Sequence, residues 1–191
     1  APVAPPPRPG GLLTGATVAA VSEGWFRKAR GERRGEVQSI AAFFHPLDAV
    51  SRWNRIYGPR GFLQYQFVAP FGAEDTLRRC IEMLSAAGQA SFLAVLKRFG
   101  AQGAGHLSFP TPGWTLALDI PLGSPILGGL LDRLDAEVIA AGGREYLAKD
   151  SRLSASEIAP MYPRLDEWRG IRKAADPDGV FTSDLARRLG L

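Results

Sequence analysis

The chain has 191 residues, 46% hydrophobic and 22% charged, with a formal net charge of +4, a composition that allows one good-sized core and no more than an appendage beside it. No apolar run approaches the about 20 residues of a membrane span, a single cysteine excludes an internal disulfide, and two distant histidines without neighbouring cysteines exclude metal-site spacing, so no metal is expected. A pI of 9.6 favours acidic partners such as phosphates or anionic lipid headgroups, most of the charge being solvated surface.

The opening APVAPPPRPGG has neither the charged start nor the apolar stretch of a secretory signal; it reads as a Pro-rich linker, and the chain is expected to begin partway through a longer polypeptide. Next, ATVAAVSEGWFRKARGERRGEV sets Trp25 and Phe26 beside Arg27, Lys28, Arg30, Arg33 and Arg34. A solvated loop or short helix is the plain reading, and a membrane or nucleic-acid surface the alternative. VQSIAAFFHPL then reads as an extended apolar run stopped at His45 by Pro46, since the residue before proline avoids helical geometry.

GFLQYQFVAP predicts a strand. Alternation puts Gln64 and Gln66, flanked by Phe62 and Val68, on one face and Leu63, Tyr65 and Phe67 on the other. The glutamines either face water or form a binding wall of paired amides. A helix follows over Glu74 to Ala87, with Leu77, Ile81 and Leu84 as its apolar stripe, Cys80 as a buried structural thiol and Gly88 as a left-handed stop. ASFLAVLKRF is the next strand. The loop GAQGAG has the wrong spacing for a phosphate cradle and precedes a strand-like segment, so it is a hairpin connection without a ligand.

TLALDIP is a further strand, Leu127, Leu130, Leu131, Leu134 and Val138 mark a helix stopped by Gly142, and GREYLA is a last strand. The order β-α-β-β-α-β predicts an α+β fold, a ferredoxin-like split βαβ domain with a mostly antiparallel sheet and helices on one face. The other face would be free, and Gln64 and Gln66 would line a cleft against something else. In the tail, Ser154 and Glu157 have capping-box spacing, Pro160 and Pro163 break the helix early, and Ser183 starts another before Leu185, Leu189 and Leu191. These apolar positions show no local partner, so this helical segment is expected to own little core and to dock on another domain.

Taken together, FFHPLDAVSRWNRIYGPRGFLQYQFVAP, PGWTLALDIP, GGREYLAKDSR and MYPRLDEWRGIRKAADPDGVFTSDLARRLGL resemble the C-terminal part of the FAD-linked oxidases of the vanillyl-alcohol-oxidase type, over roughly Leu12 to Leu191. That superfamily includes aldonolactone oxidases and oxidases of polyprenyl-phosphate-linked ribose. The resemblance implies a linker and mobile basic loop over 1–34, a substrate-binding cap domain over 35–143, and a segment over 144–191 that completes an FAD-binding domain whose remainder lies outside this chain.

It further implies that Gln64 and Gln66 contact sugar hydroxyls, that Leu93, Val95, Lys97 and Phe99 wall the substrate pocket, and that Thr115, Ala117, Phe44 and Leu47 also touch substrate. Tyr146 would contact the flavin. Lys149 would contact both flavin and substrate as the catalytic residue, its cation stabilising negative charge on the reduced ring. Ala117 stands where some members carry a cysteine and Thr115 where they carry an amide, which leaves the exact substrate open.

The implied activity is oxidation of a secondary sugar hydroxyl, with hydride passing to flavin N5 and a polyprenyl-phosphate-linked ribose as substrate. A soluble D-arabinono-1,4-lactone-type substrate is the alternative, and a non-catalytic ferredoxin-like ligand or RNA-binding module is the reading from another class. Glutamines, threonine and aliphatics on the candidate face, in place of an aromatic platform, rank nucleic acid last among partners. The expected partners are the sugar substrate, the FAD-binding domain of the same enzyme and a peripheral membrane contact, in a bacterial protein that is cytoplasmic or peripheral at the cell membrane. Without the rest of the flavin domain this chain is expected to be inactive and to hold FAD weakly.

Overall fold

The computed structural model describes residues 15–28, 34–45, 51–89 and 91–191. Helix α1 spans Gly15–Lys28 and buries none of its side chains, leaving Trp25 and Phe26 68% and 76% exposed. The predicted extended run after it is instead a short helix, α2 (Ile40–Phe44), because alanines and a run free of proline until Pro46 let Phe43 N–H reach the Ser39 carbonyl at 3.1 Å and His45 N–H the Ala41 carbonyl at 2.9 Å. Arg30, Arg33, Pro46, Leu47 and the N-terminal linker lie outside the described residues.

The centre of the fold is an antiparallel four-stranded sheet in the order β2-β3-β1-β4, made by β1 (Phe62–Pro70), β2 (Ala94–Phe99), β3 (Gly113–Pro121) and β4 (Arg144–Glu145). Its aromatic and β-branched residues suit a pleated surface. Helix α3 (Glu74–Ala86) leads from β1 to β2, and α4 (Leu127–Ala140) from β3 to β4. Tyr65, Phe67 and Ala69 from β1 and Leu116, Leu118 and Ile120 from β3 pack in one core with Cys80 and Leu84 of α3 and Leu127, Leu130, Leu131, Leu134 and Val138 of α4. The fold is therefore α+β, with both helices on the same face of the sheet.

Each helix ends in the same way. Gly88 (φ 64°) and Gly142 (φ 70°) take the left-handed conformation. Gly88 N–H then bonds the Ser85 carbonyl and Gln89 N–H the Leu84 carbonyl, while Gly142 and Gly143 repeat the pattern on Ile139 and Val138. Acidic Glu74 and Asp75 occupy the first turn of α3, where the helix dipole favours them. Cys80 is fully buried, as the apolar stripe predicted, and burial pushes its thiol up to about 12.

Two predicted strands are shorter than their sequence patterns. ASFLAVLKRF pairs only over Ala94–Phe99, and GREYLA only over Arg144–Glu145. The second stops because Tyr146 N–H makes one more bond, to the Gln66 carbonyl at 2.8 Å, after which Lys149 and Asp150 N–H both turn back to the Tyr146 carbonyl.

The tail owns more core than its pattern suggested. Helices α5 (Ala155–Met161), α6 (Leu165–Ala175) and α7 (Asp184–Leu189) enclose a second cluster of Leu153, Ile158, Met161, Tyr162, Leu165 and Leu189, with Leu185 and Leu191 packed against it. These leucines find their partners across turns too distant in sequence for a local pattern to show. The predicted caps are present: Ser154 N–H donates to Glu157 Oε2 at 2.7 Å, and Ser183 Oγ accepts from Ala186 N–H at 3.1 Å. No helix among the described residues is long and apolar enough to cross a membrane.

Leu134 is wholly buried in the main core. Leu134→Ala should lower unfolding free energy by about 2–5 kcal/mol, read as a lower denaturant midpoint; a loss below about 1 kcal/mol would show that the core is not packed around this residue.

Candidate functional site

The nine-residue register of β1 against β3 places Gln64 opposite Asp119, Gln66 opposite Ala117 and Val68 opposite Thr115. On the other side of β3, Val95 pairs with Ala117, Lys97 with Thr115 and Phe99 with Gly113. Cross-strand partners share a face. One face thus gathers Gln64, Gln66, Val95, Lys97, Phe99, Thr115 and Ala117, the face opposite the helices.

Both glutamines already hold a partner. Gln64 Nε2 donates to Asp119 Oδ1 at 2.9 Å, and Gln66 Nε2 to Thr115 Oγ1 at 3.0 Å. Neither amide oxygen takes a donor among the described residues. The pair is therefore oriented, with its nitrogens committed within the sheet and its carbonyl oxygens left to accept. Neither the water-facing reading nor the bare binding wall described this arrangement.

The face is also less open than the helix count implied. Although α3 and α4 lie on the opposite face, Val68 and Thr115 are essentially inaccessible and Gln66 is only 8% exposed. At one end a 3₁₀ turn, Trp53–Tyr57, brings Tyr57 to stack on Phe62 with centroids 4.2 Å apart, and Tyr57 OH donates to Asp119 Oδ2 at 3.3 Å. Burial, with the Asp119 charge, raises the Tyr57 hydroxyl far above its usual range and keeps it a donor. At the other end Tyr146 stacks on Phe109 at 4.6 Å, and Phe109 meets Phe99 edge-on at 5.5 Å.

Asp119 is the polar residue that the sequence reading passed over. It was findable: it continues the alternation of Thr115 and Ala117 along β3. Leu93 stands just before β2, its carbonyl accepting from Asp119 N–H at 3.1 Å. Phe44 is two-thirds exposed on α2, with Phe43 edge-on to it, and the structure does not bring it to the sheet face. Leu47 lies outside the described residues.

Lys149 sits in the turn after β4, three residues beyond Tyr146, and is half-buried. Sequence adjacency offers Lys149 the carboxylate of Asp150. The structure disposes of Asp150 otherwise, since that carboxylate is buried and accepts from Arg188 Nη2 at 2.8 Å. The Lys149 ammonium has no carboxylate partner among the described residues.

On the helix side of the sheet, a buried polar cluster lies where β1, α4 and β4 meet. Tyr65 OH donates to Asp135 Oδ1 at 2.8 Å, and Arg152 bridges Asp135 and Asp132. The clue was an aspartate in the apolar stripe of Leu131, Leu134 and Val138. Glu145 belongs to the same cluster, and its Oε2 has no hydrogen-bond partner. Burial, reinforced by the charges of Asp135 and Asp150, pushes its carboxyl up to about 9. Of the two carboxyls Glu145 is the one held neutral, because Asp135 has the Arg152 and Tyr65 donors and Glu145 Oε2 has none among the described residues.

With this geometry in view, residues 132–189 match the family model of D-arabinono-1,4-lactone oxidase, a stretch that runs from within α4 through Lys149 to α7. Over 96% of its length the chain is 47% identical to decaprenylphosphoryl-beta-D-ribose oxidase of Mycolicibacterium smegmatis. It is also 44% identical, over 86% of its length, to an uncharacterised protein encoded in the mprA 5′ region of Streptomyces coelicolor. The chain spans 39% and 44% of the lengths of these two relatives.

Glu145 gives a signed pH dependence. In the unfolded chain it ionises near about 4.3, and in the fold only near 9, so the folded state binds the extra proton between those values and stability falls as pH rises across that window. Glu145→Gln, a neutral isostere, should reduce that fall and stabilise the protein at pH 8 by about 1–3 kcal/mol. Denaturant unfolding between pH 5 and 9 measures it, and an unchanged slope would refute the buried neutral carboxyl.

Proposed function

We propose that this chain is the substrate side of an FAD-dependent oxidase acting on a secondary sugar hydroxyl, with most of the FAD-binding domain supplied by sequence outside it. The observation that carries this reading is the 47% identity to a bacterial sugar oxidase over 96% of the chain. The order β-α-β-β-α-β with sheet order β2-β3-β1-β4 supports a ferredoxin-like split βαβ cap over 35–143 whose last strand, β4, opens the segment 144–191, and the second core of the tail supports that segment as the one returning to the flavin domain. Both similar proteins are bacterial, in keeping with a bacterial origin.

The residues present suit a flavin. Lys149 offers a cation that no carboxylate among the described residues neutralises, and Tyr146 offers a planar ring fixed by its stack on Phe109. In this reading both hold the cofactor's edge. When bound, FAD supplies the two-electron acceptor for the hydrogen leaving the carbinol carbon, while the hydroxyl proton leaves separately. The chain's own task is orientation. Gln64 and Gln66 accept hydrogen bonds from sugar hydroxyls through their free carbonyl oxygens, and the exposed Lys97 suits a phosphate.

The polyprenyl-phosphate-linked ribose is read from the relative's name and from Lys97 on the same sheet face, across β3 from the glutamines. The family model favours the second reading, a soluble aldonolactone. For a lipid-linked substrate, exposed Trp25 and Phe26 with Arg27 and Lys28 on α1 suit contact with a membrane surface.

In the full-length flavoprotein, anaerobic mixing with decaprenylphosphoryl-ribose should bleach the flavin faster than D-arabinono-1,4-lactone does. The reverse order would favour the lactone, and bleaching by neither would overturn the oxidase reading. Lys149→Met should slow bleaching about 100-fold with the flavin retained, the scale of one lost electrostatic contact to developing charge; an unchanged rate would remove Lys149 from the site.

A further inference from the structure

The Lys149 ammonium has no carboxylate partner among the described residues, yet the turn that carries it is held from both sides. Before it, Tyr146 N–H bonds the Gln66 carbonyl at 2.8 Å, which fixes the turn to β1 beside the glutamine pair. Within it, Lys149 and Asp150 N–H both bond the Tyr146 carbonyl, at 2.9 and 3.0 Å. After it, the Asp150 carboxylate, fully buried, accepts from Arg152 N–H at 2.7 Å and Leu153 N–H at 2.8 Å through one oxygen and from Arg188 at 2.8 Å through the other.

Arg188 also donates to the Leu153 carbonyl, so its two-pronged guanidinium closes the far end of the turn on both side chain and backbone. Arg188 is set in turn by α7. That helix is capped by Ser183, anchored by fully buried Leu189, and tied to α6 where Arg169 donates to the Gly190 carbonyl at 3.2 Å.

We infer that the Asp150–Arg188 pair is a positioning device: the last helix of the chain, through Arg188, fixes the turn that aims the Lys149 ammonium at its ligand. A buried carboxylate so saturated with donors is rigid, and a lysine beside it inherits that rigidity in its backbone while its own charge stays uncompensated. This rests on the reading that Lys149 faces the flavin, and the experiment separates the two.

The full-length flavoprotein is prepared as Arg188→Met, Asp150→Asn, Arg188→Lys and Lys149→Met, with Ile158→Ala, which loosens the tail core it shares with Leu153 and Leu189 but removes neither charge of the pair, as the control for general loosening. Two properties other than turnover are measured: amide hydrogen exchange over 146–153, and the equilibrium between enzyme flavin and a reference redox dye. Arg188→Met and Asp150→Asn should speed exchange over 146–153 at least tenfold with β1 unchanged, and should shift the flavin equilibrium toward the oxidised form about tenfold, in the same direction as Lys149→Met.

Arg188→Lys keeps the charge but not the fork and should recover part of the shift, and Ile158→Ala should leave the flavin equilibrium in place. If Lys149→Met itself does not move the equilibrium, the placement of Lys149 at the flavin falls. If it does and neither Arg188→Met nor Asp150→Asn does, the positioning inference falls alone. An equal shift from Ile158→Ala would likewise overturn it, by showing that any loosening of the tail suffices.

Discussion

A one-residue slip of β1 against β3 would exchange the two sides of this protein. The period of a strand is two, so the register that sets Gln64 opposite Asp119 and Gln66 opposite Ala117 also sets Tyr65 and Phe67 beneath the helices. Slipped, the glutamines would enter the main core unpaired, and two large aromatics would stand exposed. Burial of Tyr65, Phe67, Leu116, Leu118 and Ile120 thus enforces the arrangement of the polar face without touching it. The glycine at the start of β3 belongs to the same constraint, since a Cβ built on Gly113 would stand 2.2 Å from the Ala69 carbonyl oxygen.

The polar face and the buried carboxyl cluster are two outcomes of that one pairing. On the face away from the helices, Gln64 with Asp119 and Gln66 with Thr115 satisfy each other in pairs that leave the amide oxygens free to accept. On the helix side, Asp135, Glu145 and Arg152 tie α4 and β4 to the segment that follows, where low dielectric makes an incomplete network costly. Glu145 is held neutral as a result. Its backbone neighbour Tyr146 begins the turn of Lys149, so the same short stretch of chain is a structural joint on one face and part of the candidate site on the other.

Similarity to a longer oxidase and the exposure of α1 fit together in the proposed reading. In that reading the sheet face with its free amide oxygens would be the substrate wall, the uncompensated lysine would meet the flavin, and the exposed aromatics of α1, which gain nothing from water, would meet an apolar surface. They become intelligible beside a flavin domain and a lipid-linked sugar.

Local sequence determined a good deal by itself. The alternation in GFLQYQFVAP, the glycines at 88 and 142, the apolar stripe of α4 and the caps at Ser154 and Ser183 are short-range patterns that appear in the structure where their residues predicted them, whereas in α3 Leu77 and Leu84 reach the core but Ile81, predicted to join them, is 48% exposed. The motifs around Gln64 and Lys149 were specific enough to indicate a family resemblance. What only tertiary structure decided were relations between residues distant in the chain: Asp119 orienting Gln64, Thr115 holding Gln66, Tyr57 and Phe109 covering a face that the helix count left bare, and Arg188 taking the Asp150 carboxylate that sequence adjacency would have given to Lys149. Such partners are chosen by the burial of apolar surface elsewhere, which fixes where strands and helices lie before any of these hydrogen bonds can form.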